Sequence, residues 1–172
     1  MKSLTILKSL ALTLVMGLGV VFNANAQKMT NKDLATSAGL SDNYSTLLTA
    51  LKAAGLADQA SKPGPFTIFA PENSAFDALP DGTVETLLKP ESKKMLSGIL
   101  LNHVVEGSVM SSSLKDGQKI KTVGGGTLTV RMKDGKVMIE DAKGGMSTVT
   151  MADIKATNGV VHSIDAVLMP GM

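Results

Sequence analysis

Apolar residues recur at helical spacing early in the chain and at alternating spacing later in it. Leu47, Leu48, Leu51 and Ala54 share one side of a helical repeat, with Ser41, Asp42 and Asn43 ahead of them as N-cap residues and Gly55 behind as the C′ residue. Ser61 to Pro65 reads as a loop, and Phe66-Thr67-Ile68-Phe69 as a short strand stopped at Pro71. Asn73 is placed to cap a brief helix through Ser74, Ala75, Phe76 and Leu79, which Pro80-Asp81-Gly82 ends. Thr83 to Leu88 adds another turn or two. Pro90 suits the first position of the next helix, where its missing N–H is no loss. Met95, Leu96, Ile99 and Leu100 give that helix an apolar stripe, and the chain is expected to turn extended from Leu101 to Val105.

From Gly107 onward the repeat shortens to that of a strand. Leu128, Val130 and Met132 alternate with Thr127, Thr129 and Arg131, so one face is expected to be buried and the other wet. Asp134-Gly135 follows, and Val137 and Ile139 resume the alternation, a strong short-range hairpin signal. Gly124-Gly125-Gly126 marks the turn before Leu128, since the Lys-Ser/Thr pair and capped helix that a phosphate loop needs do not follow it. No repeat of solenoid length and no low-complexity linker interrupts the pattern. Helices followed by strands make an α+β fold in one domain.

The first residues change which part of the chain counts. Lys2 and Lys8 precede an apolar stretch from Leu10 to Phe22, and Ala24-Asn25-Ala26 has the small-x-small pattern of a cleavage site. That stretch is shorter than the ~20 residues that span a bilayer. The reading is a cleaved signal peptide over 1–26, a short tail over 27–32 and a single domain over 33–170, with no membrane span after cleavage. Export to the periplasm or the exterior follows as an expectation. With no cysteine in the chain, disulfides and a cysteine-linked lipid anchor are both excluded. Two of the 17 basic residues leave with the leader, so 15 face the 15 acidic ones and the remainder is formally neutral. Nucleic-acid binding and a polybasic membrane patch lack electrostatic support.

Candidate chemistry centres on NGVVHSIDAVLMP, where His162, Ser163 and Asp165 lie close together. On a strand, His162 shares a side with Val160, Ile164 and Leu168, and Ser163 and Asp165 share the other. Opposed faces keep a nucleophile from its base, and no G-x-S-x-G elbow surrounds Ser163. The other histidine, His103, could join Asp165 or Glu106 around a metal only with help from the fold, and no H-E-x-x-H or His-Cys spacing is present. No cofactor or metal is called for; a neutral histidine held by a backbone carbonyl is the expectation for each. Met95, Met132, Met138 and Met151 fall at or beside positions that periodicity assigns to the core, so the methionines read as core filling rather than soft-metal ligands.

Three segments carry a family resemblance. FTIFAPENSAFDALP closely resembles the first signature of fasciclin-like (FAS1) domains, LLNHVVEG their central YHVV-G segment, and NGVVHSIDAVLMP their closing signature. Their order and spacing also match, across about Asp33 to Pro170, as in a single-domain bacterial member. The resemblance implies a wedge of two small β-sheets with helices packed at one side. It assigns structural roles to Phe69, Pro71, Asn73, Phe76, His162 and Asp165. It also implies a secreted, non-enzymatic adhesion module that binds a protein or polysaccharide of the cell surface or matrix. Asn102, His103, Val104 and Val105 are the binding candidates, although Asn102 stands where the family has Tyr; Glu72 and Ser163 are smaller departures. A carrier of an apolar small molecule, such as a carotenoid or lipid, is the alternative.

Overall fold

The computed structural model describes residues 42–171. The expected signal peptide, the tail and the first part of the expected domain lie outside the described residues.

A 3-10 turn at Asp42–Tyr44 leads into α1 (Ser45–Ala54), which ends where Gly55 takes a left-handed φ of 72° and donates to Leu51 O and Lys52 O. Leu47, Ala50, Leu51 and Ala54 form its buried side. The N-terminal end departs from expectation, since neither Asp42 nor Asn43 supplies a side-chain cap. Asn73 supplies it instead, from 27 residues away: its Oδ1 accepts from Thr46 N at 3.1 Å, and its Nδ2 donates to Asp42 O at 2.7 Å and to Ser45 Oγ at 3.0 Å. An asparagine expected to cap its own helix thus caps another, because β1 delivers it beside the start of α1.

A short α2 (Ala57–Ala60) precedes β1 (Phe66–Pro71), followed by α3 (Asn73–Asp77) and α4 (Thr83–Leu88). Pro90 opens a 3-10 turn at Pro90–Ser92 that runs into α5 (Lys93–Asn102), and β2 (Val104–Glu106) follows at once. The helix thus persists to Asn102, past the Leu101 expected to begin the extended segment. Ser111–Ser113 forms another 3-10 turn, and then come β3 (Lys119–Lys121), β4 (Thr127–Lys133), β5 (Lys136–Glu140), β6 (Met146–Ala156) and β7 (Gly159–Ile164).

The strands run β2-β1-β7-β6-β5-β4-β3, antiparallel except for the β1–β7 pair, which is parallel in register from Phe66 opposite Gly159 to Pro71 opposite Ile164. β6 belongs to two sheets at once. Met146 to Thr148 pair with β5, Val149 to Ala156 pair with β7, and the pairing slips between Val149 and Met151 and again before Ile154, with Asp153 at φ 58°. Such irregularities bend a strand. Here they fold the order into a wedge, and a bridge between Val105 and Thr122 draws its two ends nearly closed.

Two cores result. On the helical side, Tyr44, Leu47, Leu51, Leu96, Ile99 and Leu100 pack with Ala70, Ile154 and Val161. Between the sheets, Phe69, Val105, Leu114, Leu128, Val130, Ile139, Ile164 and Leu168 form the second. At about 1.5–3 kcal/mol for each fully buried large side chain, these residues rather than surface charges carry the stability. The Arg131–Glu140 pair at 2.7 Å is exposed and adds little. The core contradicts one expectation. Met95 (60%), Met151 (50%) and Met132 (43%) are exposed and Met138 is only partly buried, so methionine does not fill the interior. Met95 lies off the side of α5 occupied by Leu96, Ile99 and Leu100. Met132, near the end of β4, lies beyond the reach of the inter-sheet core.

Asn158 and Gly159 each have a structural use at the start of β7. Asn158 Nδ2 donates to Ala60 O at 2.8 Å and Lys62 O at 2.9 Å, tying the loop after α2 to the start of β7. A Cβ on Gly159 would lie 1.9 Å from Phe66 O, so the close approach of β7 to β1 leaves no room for a side chain there.

Candidate functional site

β7 is covered on both faces, by helices on one and by the second sheet on the other, so alternation along it leads into two interiors. His162 and Ser163 are both fully buried, yet they meet different partners. His162 stacks on Phe69 with ring centroids 5.5 Å apart, and its Nε2–H donates to Val109 O at 2.8 Å while Nδ1 accepts from Asp153 N at 3.2 Å. Ser163 Oγ pairs instead with the Tyr44 hydroxyl, in the helical core. Asp165 lies beyond the strand, exposed, where Oδ1 accepts from Thr148 N at 2.7 Å and from Ser147 Oγ at 3.3 Å. The three groups do not converge, and no nucleophile–base pair forms among them.

Both histidines are neutral and backbone-bound. His103 Nδ1–H donates to Ile99 O at 2.8 Å, and its Nε2 accepts from Leu168 N at 2.9 Å. These partners assign opposite tautomers to the two rings. Burial pulls the pKa of His103 down from 6.5 to about 4, against a smaller upward effect of the Ile99 carbonyl. Burial lowers His162 as well, partly offset by its bond to Val109 and by the charge of Asp153. Desolvation likewise raises Tyr44, although its bond to Ser163 opposes the rise. Among the described residues, no group of three His, Cys, Asp or Glu side chains is arranged to hold a metal ion.

The binding candidates turn out to join the three signature segments to one another. Asn102 Nδ2 reaches Leu168 O at 3.4 Å while His103 takes Leu168 N, so adjacent side chains hold both sides of one residue's backbone. Phe69 N donates to His103 O at 2.9 Å, which brings in the first segment. Asn102 Oδ1 also accepts from Thr122 Oγ1 at 3.3 Å. A Cβ on Gly126 would sit 2.3 Å from that Oδ1, so the triple-glycine turn is shaped to close over the end of α5. Asn102, His103 and Val105 are buried and offer no side chain to a macromolecular partner; Val104 is only partly exposed. Phe69, Pro71 and Phe76 are buried, while Asn73 forms the remote cap described above.

Sequence reasoning missed Asp153 and Asp141. Asp153 Oδ1 accepts from Ser111 N at 2.7 Å and Oδ2 from Ser111 Oγ at 2.5 Å, so the irregularity in β6 clamps the loop whose Val109 carbonyl receives His162. Asp141 Oδ1 accepts from Lys143 N and Gly145 N, and its Oδ2 from Met169 N at 2.9 Å, anchoring the C-terminal segment. Asp141 has a local turn signal in its spacing to Gly144-Gly145, but nothing in the sequence marks either long-range partner.

Beside Val104 lies an apolar cleft with a cavity volume of about 90 Å³. Leu47 and Leu51 of α1, Leu56 next to α2, Phe66 and Ile68 of β1, and Leu100 and Leu101 of α5 surround it, with Val104 and Val123 completing the wall. Gln59 and His103 are the polar members of the lining, and the His103 nitrogens already bond to backbone. Apolar cavities of this kind hold apolar groups in preference to water.

Comparison with known proteins places the chain in context. The fasciclin domain family model matches residues 42–170. The chain is similar to Protein sll1483 of Synechocystis sp., at 47% identity over 131 residues, covering 76% of this chain and 69% of that one. It is 34% identical over 147 residues to the cell surface glycolipoprotein MPB83 of Mycobacterium bovis, covering 83% of this chain and 62% of the relative. Among solved structures it is similar to the FAS1 domain pair of the insect cell adhesion molecule Fasciclin I, with a TM-score of 0.72 at 17% identity, covering 80% of this chain and 51% of that one.

Proposed function

Because the chain belongs to the fasciclin domain family, we propose that it is an exported, non-catalytic binding module that adheres to a protein or polysaccharide of the cell surface or matrix. The cell-surface and adhesion character in the names of MPB83 and Fasciclin I supports this reading. The observation that carries it is the apolar cleft walled by the partly exposed Val104 and the exposed Val123; the buried polar groups, by contrast, are bonded within the fold, since among the described residues no buried side-chain nitrogen or oxygen lacks a partner. His103 and His162 bond to backbone atoms, Ser163 to Tyr44 and Asn102 to Leu168, and no nucleophile–base pair is among these contacts. Among the described residues no helix is long and apolar enough to cross a membrane.

The apolar cleft is the proposed point of contact, with Val104 and Val123 at its wall. Retention of the purified domain on immobilised matrix protein, on polysaccharide and on cells tests the proposal. Wild-type protein is expected to be retained, and Val104→Asp and Val123→Asp to lose at least about tenfold in affinity with the circular dichroism spectrum unchanged. Equal retention of both variants would remove the cleft from the reading; no retention of wild type on any surface would remove adhesion itself.

A carrier of an apolar small molecule is the second reading, favoured by the aliphatic lining of the same cleft, whose volume of about 90 Å³ takes only one end of such a molecule. Protein recovered from its native host distinguishes the two. Visible absorbance or solvent-extractable lipid identified by mass spectrometry supports a carrier, and a colourless, ligand-free protein that still adheres supports adhesion.

A further inference from the structure

Methionine is the readily oxidised side chain that the described surface presents. The chain has no cysteine and no tryptophan, and its one tyrosine and both histidines are buried. None of the seven described methionines is fully buried: Met95, Met132, Met146 and Met151 are exposed, and Met110, Met138 and Met169 are partly so. Methionine is a common filler of irregular cores, yet the buried residues of both cores here are Leu, Ile, Val, Phe, Ala and Tyr, with Met169 alone among the described methionines packed against the edge of one of them.

Several of these thioethers gather on one sheet. Met138 and Met146 line an open groove over β5 and β6, and Met132 also reaches it from the end of β4, although its register partner Val137 puts it on the other face of the sheet. Glu140 pairs with Met146 and Met138 with Thr148, so Met138 and Met146 are diagonal neighbours on one face, within reach of each other's long side chains. Met151 follows further along β6.

We propose that these exposed methionines make an oxidant-consuming surface, whose substrates are hydroperoxides. A sulfur lone pair attacks one peroxide oxygen; the S–O bond forms as the O–O bond breaks. Sulfur loses two electrons, and the leaving hydroxide or alkoxide takes the proton from the transferred oxygen, leaving the sulfoxide and water or an alcohol. A sulfoxide is polar and damages a core that must bury it. At the exposed positions it stays in water, so oxygen is absorbed where the fold does not depend on the thioether. The inference is independent of the adhesion reading.

The test exposes the purified chain to excess hydrogen peroxide with N-acetylmethionine as internal reference and follows each methionine by peptide mapping. Met95, Met132, Met146 and Met151 are expected to oxidise within about threefold of the reference, and Met110, Met138 and Met169 more slowly. After the fast phase the melting temperature is expected to fall by less than about 4 °C, the shift that a loss near 1 kcal/mol gives a chain of this size. A variant with Met95→Leu, Met132→Leu, Met146→Leu and Met151→Leu is expected to lose the fast phase and, in a second experiment with limiting peroxide and protein in excess over a co-incubated methionine peptide, to leave that peptide unprotected where wild type protects it. Exposed methionines more than about tenfold slower than the reference, cooperative unfolding during the fast phase, or equal protection by the fourfold variant would each overturn the proposal.

Discussion

Acid should destabilise this protein through His103 before its carboxylates protonate. The ring is buried, its Nδ1–H is committed to Ile99 O, and its Nε2 is the acceptor for Leu168 N–H. A second proton would go on Nε2, directly against the N–H it accepts, and the resulting cation would have no water. The pKa accordingly falls from 6.5 to about 4. An unfolded chain binds that proton near the ordinary value and the folded chain does so only near 4. Between those values the unfolded state holds more protons, so stability is complete above about pH 6.5 and is lost as pH falls toward 4. At about 1.4 kcal/mol per pH unit, the whole window is worth roughly 3 kcal/mol, of which roughly 2 kcal/mol is gone by pH 5. His162, also lowered by burial, acts in the same direction. Urea unfolding followed by circular dichroism at about pH 7.5 and about pH 5, on wild type and His103→Gln, measures the effect. Glutamine keeps one donor and one acceptor but does not titrate. Whatever its baseline stability, the variant is expected to lose roughly 2 kcal/mol less than wild type between the two conditions. An equal loss in both proteins, or a His103 ring proton resonance titrating near 6.5, would refute the reasoning.

Three other expectations follow from the same geometry. Gly159→Ala places a methyl group against Phe66 O and should cost about 3 kcal/mol or more, visible as a collapsed melting temperature or insoluble expression. Asn73→Ala removes the remote cap of α1 and should cost about 1–2 kcal/mol in urea titrations. Asn73→Asp keeps the acceptor for Thr46 N but cannot donate to Asp42 O, and should recover about half of that loss. Tyr44→Phe strands the Ser163 hydroxyl in the helical core and should cost about 1–2 kcal/mol, while in the Ser163→Ala background the same change should cost about 1 kcal/mol less. Additive losses in that cycle would show that the two hydroxyls do not depend on each other.

Much of the fold was legible because it follows from local periodicity. The stripe of Leu47, Leu51 and Ala54, the end of α1 at Gly55 and the hairpin at Asp134-Gly135 each depend on neighbours a few residues apart, and the structure contains all of them. The separation of His162 from Ser163 was legible for the same reason, since a strand turns adjacent side chains apart. Burial of methionine was not. Periodicity puts Met95 beside the stripe of α5 and Met132 on the inward side of β4, but the core ends before it reaches either.

The sequence by itself therefore determined the family and the order of most elements, because these depend on short-range spacing and on three recognisable segments, whereas α2 and β6 went unread in it. Only the tertiary structure decided what the segments do for one another. It alone shows Asn102 and His103 holding the backbone of Leu168, Asn73 capping a helix 27 residues back, and Asp153 clamping the loop above His162. Hydrogen bonds at such separations depend on how the bent β6 and the packed helices bring distant backbone atoms together, and a linear pattern of residue types holds no record of that approach.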